Sequence, residues 1–341
     1  MTLEIYRLND KVAEIADNRV VSFNEAAPIL IKQNRFEDWV ATRKPDLNRP
    51  NVRSLRRMMG LSTSKLDDVF SEINYQSLSD CFWVKEKDGS ETWESIQFQE
   101  KDGQFYQHAL AGKMLFDDPS SYSSRKSPEH TNIGSFEKGW KNIGSDAWQL
   151  WKAGDEAAVW SEIFYSNLAN EIFPSIAVRY WECDGYSVCD NFVDRCGGDS
   201  LEPIFSLIDE HNDPLAVLAV LPEKLHEDYR KMLFLDALMF NWDRHEFNFG
   251  ITTDIDGSIK GLTPLFDFNL SLFNGASLGV KRFEDTTIQM YKAAKTEKYK
   301  VTKDMVENAY KNTKTSFDAV VSLSEATDFI MQSYELVYIN T

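Results

Sequence analysis

The spacing of hydrophobic and polar residues predicts short strands and amphipathic helices along most of the chain. Apolar residues recur at helical spacing from Glu156 to Phe173 and from Leu225 to Trp242, which predicts two long helices. Hydrophobic and polar residues alternate from Ala147 to Lys152, so this segment is predicted to be a strand that ends on a lysine. The pattern as a whole indicates a mixed α+β fold.

Turn residues locate a hairpin in the second half of the chain. The stretch from Gly250 to Ser258 is predicted to be a strand that turns at Asp256-Gly257, a dipeptide favoured where both turn residues take positive φ. A second strand is predicted from Leu262 to Asp267. Another strand, from Tyr186 to Val193, is predicted to enter a hinge.

A polar segment from Asp117 to Glu129 has the composition of a linker. It separates an N-terminal accessory region, residues 1 to about 120, from a small β-rich lobe at 127–195 and a larger helical lobe at 196–341. A length of 341 residues suits such a two-lobed chain. Further helices are predicted at Asn51–Met59, Lys65–Ile73, Thr302–Lys311 and Ser322–Val337.

Composition and charge narrow the possible functions. Hydrophobic residues make up 43% of the chain and aromatic residues 13%, as in a folded globular protein. A formal net charge of -17 disfavours a main role on nucleic acid or on an anionic membrane. The start of the chain has no apolar signal core, which predicts a cytoplasmic protein. The four cysteines form no metal-ligand or disulfide pattern and are predicted to be reduced thiols.

Three polar residues near the predicted hairpin have phosphotransferase spacing. Asp243 is followed five positions later by Asn248, and Asp267 lies on the next strand. In kinases an Asp orients the acceptor hydroxyl, while an Asn and a second Asp bind the metal ions that bridge the phosphates. The Asp-to-Asn spacing alone also fits a surface hairpin whose carboxylates keep it soluble.

Residues on the N-terminal side of this motif could bind the nucleotide. The loop from Thr131 to Gly139 contains small residues that allow backbone N–H groups to approach phosphates, although an ordinary loop has the same composition. Lys152 could contact a phosphate and pair with Glu162; the alternative is a surface lysine and a glutamate that keeps its helix soluble. Backbone groups from Asp190 to Phe192 could bind an adenine edge. Asp236 either holds the catalytic loop from a buried position or faces solvent.

Together these motifs resemble those of the HipA-like kinases, bacterial Ser/Thr kinases of toxin–antitoxin systems. The most specific parts are the Asn241-x-Asp-Arg-His-x-x-Asn-Phe-Gly250 loop and Thr263-Pro-Leu-Phe-Asp267. Gly134-Ser-Phe-Glu-Lys138 is similar to the family's phosphate loop, and Gln149-Leu-Trp-Lys152 to its lysine strand. Ser77–Trp83 and Thr92–Ile96 are similar to the front region of some members.

The resemblance implies a bilobal protein-kinase-like fold and an enzyme that uses ATP and Mg²⁺ to phosphorylate a hydroxyl of another protein or of its own chain. The catalytic residues would be Asp243 as the base, Lys152 as a contact to the ATP phosphates and Glu162, which orients Lys152. Asn248 and Asp267 would hold the metal. The remaining predicted cofactor-binding residues are Thr131, Ile133, Gly134, Ser135, Lys138, Asp190, Phe192 and His245.

Thr131 stands near the position where family members carry a regulatory autophosphorylated Ser. His245 is interpreted first as a residue that hydrogen-bonds within the loop. The resemblance also implies an antitoxin partner and a protein substrate, with no direct binding to nucleic acid or membrane. Two alternatives stay open, namely a lipid or small-molecule kinase and a catalytically silent protein that binds nucleotide.

Overall fold

A computed structural model describes ten ranges of the chain. They are residues 2–43, 73–98, 104–111, 127–131, 136–145, 147–208, 213–272, 286–294, 298–316 and 320–338. The predicted helices at 51–59 and 65–73 and most of the predicted linker lie outside these ranges.

Within the described ranges the chain contains both helices and strands, as predicted. The strands are β1 Thr2–Arg7, β2 Asp10–Ala16, β3 Arg19–Phe23, β4 Phe82–Glu86, β5 Lys138–Gly144, β6 Ala147–Lys152, β7 Trp181–Cys183, β8 Tyr186–Asp190, β9 Ser200–Pro203, β10 Gly250–Thr253 and β11 Ile259–Leu262. The helices are α1 Ile29–Lys32, α2 Phe36–Ala41, α3 Trp93–Ile96, α4 Gln104–Ala111, α5 Glu156–Ile172, α6 Pro214–Val220, α7 His226–Met239, α8 Thr286–Ala293, α9 Lys303–Asn312 and α10 Leu323–Tyr338.

Contacts divide the chain into two compact units. The first unit comprises Met1–Ala153, Asp190–Glu202 and Thr252–Lys260. The second unit comprises Gly154–Cys189, Pro203–Ile251 and Gly261–Thr341. The lobe boundaries proposed from the sequence stay a prediction.

The first unit contains an antiparallel sheet with the strand order β3-β2-β1-β4. Tyr6 on β1 stacks on Trp83 of β4 with ring centroids 4.9 Å apart. The Trp83 side chain is buried together with Trp93, which opens α3. Thr92 and Ser95 cap the start of that helix reciprocally. The two sequence segments that resemble the front region of HipA-like proteins therefore pack together in one core.

Arg7 ties later parts of the chain to this sheet. Its guanidinium is 1% exposed and donates hydrogen bonds to the Gly198 carbonyl at 2.9 and 3.1 Å. It also donates to the carbonyl and hydroxyl oxygens of Thr253, at 3.2 and 3.1 Å. A buried charge needs such partners, so Arg7 fixes both segments to the first unit.

The hairpin of β5 and β6 carries two predicted phosphate contacts. The register places Lys138 opposite Lys152, so both side chains lie on one face of the pair. The structure confirms the predicted strand at 147–152. The predicted phosphate loop is shorter than expected, because β5 already begins at Lys138. A Cβ atom on Gly139 would lie 2.7 Å from the Tyr106 carbonyl oxygen, so this glycine permits packing against α4.

In the second unit, α5 confirms the helix predicted from Glu156. The Asp155 carboxylate caps its start by accepting a 2.8 Å hydrogen bond from the Ala158 N–H. Most α5 side chains are buried, including that of Glu162. A helix that is buried nearly all round belongs to the interior of its unit.

The second long helix, α7, ends three residues before the predicted Trp242. Phe240 takes a left-handed conformation with φ 58° and ψ 47°, and the Asn241 N–H bonds to the Asp236 carbonyl at 2.9 Å. This conformation reverses the chain as a C-terminal cap does, although a bulky residue rarely adopts it. The loop that holds Asp243 begins at this reversal.

Two details of the hairpin differ from the prediction. Only Gly257 of the turn has positive φ, at 82°, because the Asp254 carboxylate shapes the turn by accepting from the N–H groups of Asp256 and Ser258. A strand was predicted from Leu262 to Asp267, but the observed strand, β11, already ends at Leu262. Pro264 follows two residues later and has no backbone N–H to donate to a sheet. The predicted C-terminal helices are confirmed as α9 and α10.

Candidate active site

Asp236 lies buried beneath the loop that follows α7, which resolves the choice that the sequence left open. Its carboxylate is 2% exposed and accepts hydrogen bonds from the Tyr165 hydroxyl at 2.7 Å and the Asn241 amide at 3.0 Å. It also accepts from Nε and Nη2 of Arg244, at 2.9 and 3.0 Å. A bidentate arginine with two further donors satisfies a buried carboxylate well.

Arg244 extends this network to both predicted metal ligands. Its Nη1 atom donates to the carbonyl oxygens of Asn248 and Phe266, each at 2.7 Å. The two carbonyls therefore lie no more than twice that distance apart, although they belong to different segments. Burial acts to lower the pKa of Arg244, but the Asp236 carboxylate outweighs it and raises that pKa. The arginine stays charged and holds the two segments together.

The Asn248 side chain is oriented by the loop itself. Its Nδ2 atom donates to the Asp243 carbonyl oxygen at 2.9 Å. That bond uses the donor end of the amide and leaves Oδ1, directed elsewhere, as the atom that could bind a cation. The His245 N–H donates to the same carbonyl at 2.9 Å.

His245 takes part in the hydrogen bonding of the loop. Its Nδ1 atom accepts from the Phe247 N–H at 3.2 Å, and the side chain is exposed. This contact fits the structural interpretation of the residue. Its predicted contact with the cofactor stays a prediction.

Asp267 occupies a backbone position that is fixed on both sides. Its φ is 65°, in the left-handed region that few non-glycine residues adopt. Arg244 binds the carbonyl before it, and the Phe268 N–H after it lies 3.4 Å from the Glu162 carboxylate. The Phe268 ring stacks on Tyr165 with centroids 4.0 Å apart. Strained backbone held by surrounding contacts is typical of functional sites.

Glu162 is only 1% exposed and lies one turn before Tyr165 on α5. It accepts a hydrogen bond from the Ser187 hydroxyl of β8. Its predicted partner, Lys152, belongs to the first unit, so that pairing stays a prediction. The structure adds a contact that the sequence did not suggest, between Glu162 and the segment that carries Asp267.

The predicted phosphate contacts of the first unit lie around the β5–β6 hairpin. Lys138 and Lys152 are 8% and 3% exposed and occupy opposite positions of the two strands. Thr131 ends a short 3₁₀ turn that Glu129 attaches to β5 by accepting from the Trp140 N–H at 2.6 Å. Ile133, Gly134 and Ser135 lie outside the described residues.

One of the backbone groups in the predicted hinge is already used in a hydrogen bond. The Asn191 N–H donates to the Trp148 carbonyl at 2.8 Å, and the Asn191 amide donates to the Leu78 carbonyl at 2.9 Å. That N–H is therefore committed to the first unit and does not serve an adenine edge. The binding of an adenine edge by Asp190 and Phe192 stays a prediction.

Sequence reasoning missed Tyr165 and the organising role of Arg244. Arg244 stands within the recognised loop, so its position beside Asp243 was a usable signal. Tyr165 gave no comparable signal, since it lies 71 residues before Asp236 in the chain. Trp242, next to Asp243, is 45% exposed and was also not singled out.

The donor set around Arg244 fits magnesium better than a softer metal. Asn248 and Asp267 offer oxygen ligands, which Mg²⁺ prefers, and Mg²⁺ commonly takes few protein ligands beside water and phosphate. Across the ranges that the structure describes, no group of three or more His, Cys, Asp and Glu side chains could hold a metal ion. No described helix is both long and apolar enough to cross a membrane.

Comparisons with known proteins bear on the fold. No protein-family model matches the chain, and no curated protein matches its sequence. HipA of the Shewanella oneidensis MR-1 toxin–antitoxin system, solved with HipB and operator DNA, matches at a TM-score of 0.53 and 11% identity, over 98% of this chain and 95% of HipA. The Helicobacter pylori proinflammatory kinase CtkA matches at a TM-score of 0.38 and 15% identity, over 59% of this chain and 89% of CtkA.

At these identities only the fold follows, and the lower TM-score carries no argument. The chain has a mixed α+β fold of the protein-kinase-like type. In particular, it has the fold of HipA. This confirms the fold that the sequence motifs predicted.

Proposed function

We propose that the protein is an ATP- and Mg²⁺-dependent kinase that transfers the γ-phosphate of ATP to a serine or threonine hydroxyl of a protein. The observation that carries the proposal is the contact of one arginine, Arg244, with the segments of Asn248 and Asp267. A kinase needs an amide and a carboxylate oxygen close together on separate segments. The buried Asp236 keeps that arginine in place.

The residues of the second unit have distinct roles in this proposal. Asp243 accepts a hydrogen bond from the acceptor hydroxyl and orients its oxygen toward the phosphate. Asn248 and Asp267 bind Mg²⁺, which when bound neutralises the charge that develops on the phosphate oxygens. The hydrogen bonds around Asp243 and Asn248 fix the loop before substrate arrives, which limits reorganisation during transfer.

Lys138 and Lys152 of the first unit are assigned to the phosphates. Their opposite strand positions place both side chains on one face of the hairpin, where two lysines would attract an anion. ATP is an anion of suitable charge. Glu162 is proposed to orient Lys152, and Asp190 and Phe192 to bind the base.

The acceptor is proposed to be a protein. Trp242 is an exposed aromatic residue beside Asp243, and such residues commonly anchor protein partners. The net charge of -17 disfavours approach to anionic lipid. HipA was solved with HipB as a toxin–antitoxin system, and we extend an antitoxin partner to this chain as part of the proposal.

The proposal is tested with pure protein, Mg²⁺ and γ-labelled ATP, with mass spectrometry to locate any phosphate. Asp243→Asn should lower transfer by roughly 100- to 10,000-fold, because it removes the carboxylate that accepts the hydroxyl proton, and should spare ATP binding. Asp267→Asn should weaken the binding of ATP in the presence of Mg²⁺. Asp256→Asn, in the exposed hairpin turn, is the control for loss of one carboxylate.

Label on the wild type and the Asp256 variant alone would support the kinase and identify any self-modified residue, including Thr131. Transfer by the Asp243 variant at the wild-type rate would overturn its assignment. ATP binding that ignores Mg²⁺ in the wild type would favour a silent nucleotide-binding protein. Label on lipid vesicles or sugars but on no protein would favour the small-molecule alternative.

A further inference from the structure

Three buried side chains of the second unit form one chain of hydrogen bonds that reaches both metal-binding segments. Tyr165 donates to Asp236 at 2.7 Å, and Asp236 binds both Nε and Nη2 of Arg244. Arg244 then donates from Nη1 to the backbone of Asn248 and Phe266. The chain starts on α5, crosses α7 and ends at the two segments that would hold Mg²⁺.

We infer that Tyr165, Asp236 and Arg244 are positioning residues that set the separation of the two metal ligands. The inference rests on the proposed function, since it concerns the same metal ions. None of the three would touch metal or nucleotide in this account. Their effect passes through the backbone of residues 248 and 266, the second of which directly precedes Asp267.

The geometry of arginine is specific to this task. Its planar guanidinium offers two hydrogen bonds to Asp236 along one edge and directs Nη1 toward the two carbonyls on the other side. The compact ammonium of lysine lacks that fork, so it cannot bridge a carboxylate and two carbonyls with the same spacing. Arg244→Lys therefore keeps the charge and removes the bridge.

Tyr165 makes the arrangement dependent on α5. Its hydroxyl bonds Asp236 while its ring stacks on Phe268, the residue after Asp267. Burial raises the pKa of Tyr165, and the nearby Asp236 carboxylate raises it further. The hydroxyl therefore keeps its proton and remains a donor. Tyr165→Phe removes only the hydrogen bond and leaves the stacked ring.

The distinguishing measurement is the ratio of ATP affinities with excess Mg²⁺ and with chelator, determined by calorimetry for each variant. Loss of residues that support metal ligands typically weakens metal binding about 10- to 100-fold. We expect Arg244→Lys to lower the ratio by about tenfold or more and Tyr165→Phe to lower it less. The affinity for metal-free ATP should stay the same in both.

Two matched controls separate positioning from simple loss of stability. Arg43→Lys alters another buried arginine, which pairs with Asp80 at 2.6 Å in the first unit. Tyr229→Phe removes a hydroxyl that is buried in the second unit and has no hydrogen-bond partner among the described residues. Both controls should keep the wild-type ratio, even where the melting temperature falls.

An unchanged ratio in Tyr165→Phe and in folded Arg244→Lys would overturn the inference and leave the proposed kinase intact. If Arg244→Lys does not fold, the comparison of Tyr165→Phe with Tyr229→Phe decides. A wild-type ratio of one would instead remove the proposed function, and with it the inference.

Discussion

Each unit of the molecule contains a buried arginine–aspartate pair, and these two pairs are built differently. In the first unit, Arg43 reaches Asp80 through one nitrogen at 2.6 Å, and its Nε atom is buried without a hydrogen-bond partner among the described residues. In the second unit, Arg244 binds Asp236 through two nitrogens and uses a third for two carbonyls.

The two arginines also differ in the contacts that they make beside their carboxylates. Arg43 rests on the Trp39 ring at 4.0 Å and donates to the Tyr75 carbonyl, so beside Asp80 it contacts one ring and one backbone oxygen of the first unit. Arg244 instead joins the end of α7 to the loop that holds Asn248 and to the segment before Asp267. A buried ion pair is weak evidence of stabilisation by itself. The comparison teaches that the role of Arg244 lies in the backbone carbonyls that it binds in addition to the Asp236 carboxylate.

Removing the two carboxylates would give the largest difference between the pairs. Asp236→Asn should destabilise the second unit by about 3–5 kcal/mol, because Arg244 would stay buried without a counter-ion. Asp80→Asn should cost the first unit less, since Arg43 keeps the Trp39 ring. Hydrogen exchange of amides in α7 and in β4 measures each unit separately.

Equal protection losses in the two variants would contradict the comparison. The exchange rates of β4 in the Asp236 variant serve as the internal control. They should match the wild type if the damage is local.

A pH titration should affect the first pair through its neighbour Glu202. Burial, and secondarily the Asp80 carboxylate, raise the pKa of Glu202 to about 7, while its backbone contact with Ile29 and the charges of Arg43 and Arg7 oppose the shift. The unfolded chain has an ordinary glutamate pKa, so it binds fewer protons between about pH 4.5 and 7. Stability of the first unit should therefore fall as the pH rises through that window, by at most roughly 3 kcal/mol.

Glu202→Gln should flatten this pH dependence of stability, because an amide does not titrate in the window. The amide oxygen can still accept the hydrogen bond from the Ile29 N–H, so the contact itself is kept. Thermal melting of both proteins at intervals from pH 4.5 to 8 measures the effect. A wild-type melting temperature that rises across the window would refute the assignment.

The smallest expected effect concerns two buried tyrosines of the second unit. Tyr165→Phe should cost about 2 kcal/mol, since it removes one hydrogen bond to a charged carboxylate. Tyr229→Phe should be neutral or slightly stabilising, because its hydroxyl is buried without a partner among the described residues. Denaturant unfolding, with hydrogen exchange of the α7 amides as the probe, compares the stability of the two variants. A greater loss of stability in Tyr229→Phe than in Tyr165→Phe would contradict the prediction.

The sequence predicted much of this arrangement because its strongest signals are local. The loop with Asp243 and Asn248, the strand at 147–152 and the helix from Glu156 each depend on spacing within a short window. The sequence also placed Asp267 near the loop through the hairpin. These elements require no knowledge of distant contacts.

The rest depends on tertiary contacts that local patterns do not encode. Phe240 ends α7 in a conformation that is rare for a bulky residue, so the helix was predicted to be too long. Pro264 shortened the strand before Asp267. The contact of Tyr165 with Asp236 joins residues from two helices, and only their packing shows which face of each helix is shared.

The hydrogen bond from the Asn248 amide to the Asp243 carbonyl limits how this position can evolve. An aspartate would offer a metal ion more charge, yet the oxygen that replaced Nδ2 would face the Asp243 carbonyl oxygen where a donor now stands. After Asn248→Asp, the carboxylate and the Asp243 carbonyl oxygen would therefore repel each other, and the loop would lose a hydrogen bond. In the proposed site one amide would both shape the loop and present an oxygen to the metal, so residue 248 could not change even to its nearest chemical relative without loss of the loop contact.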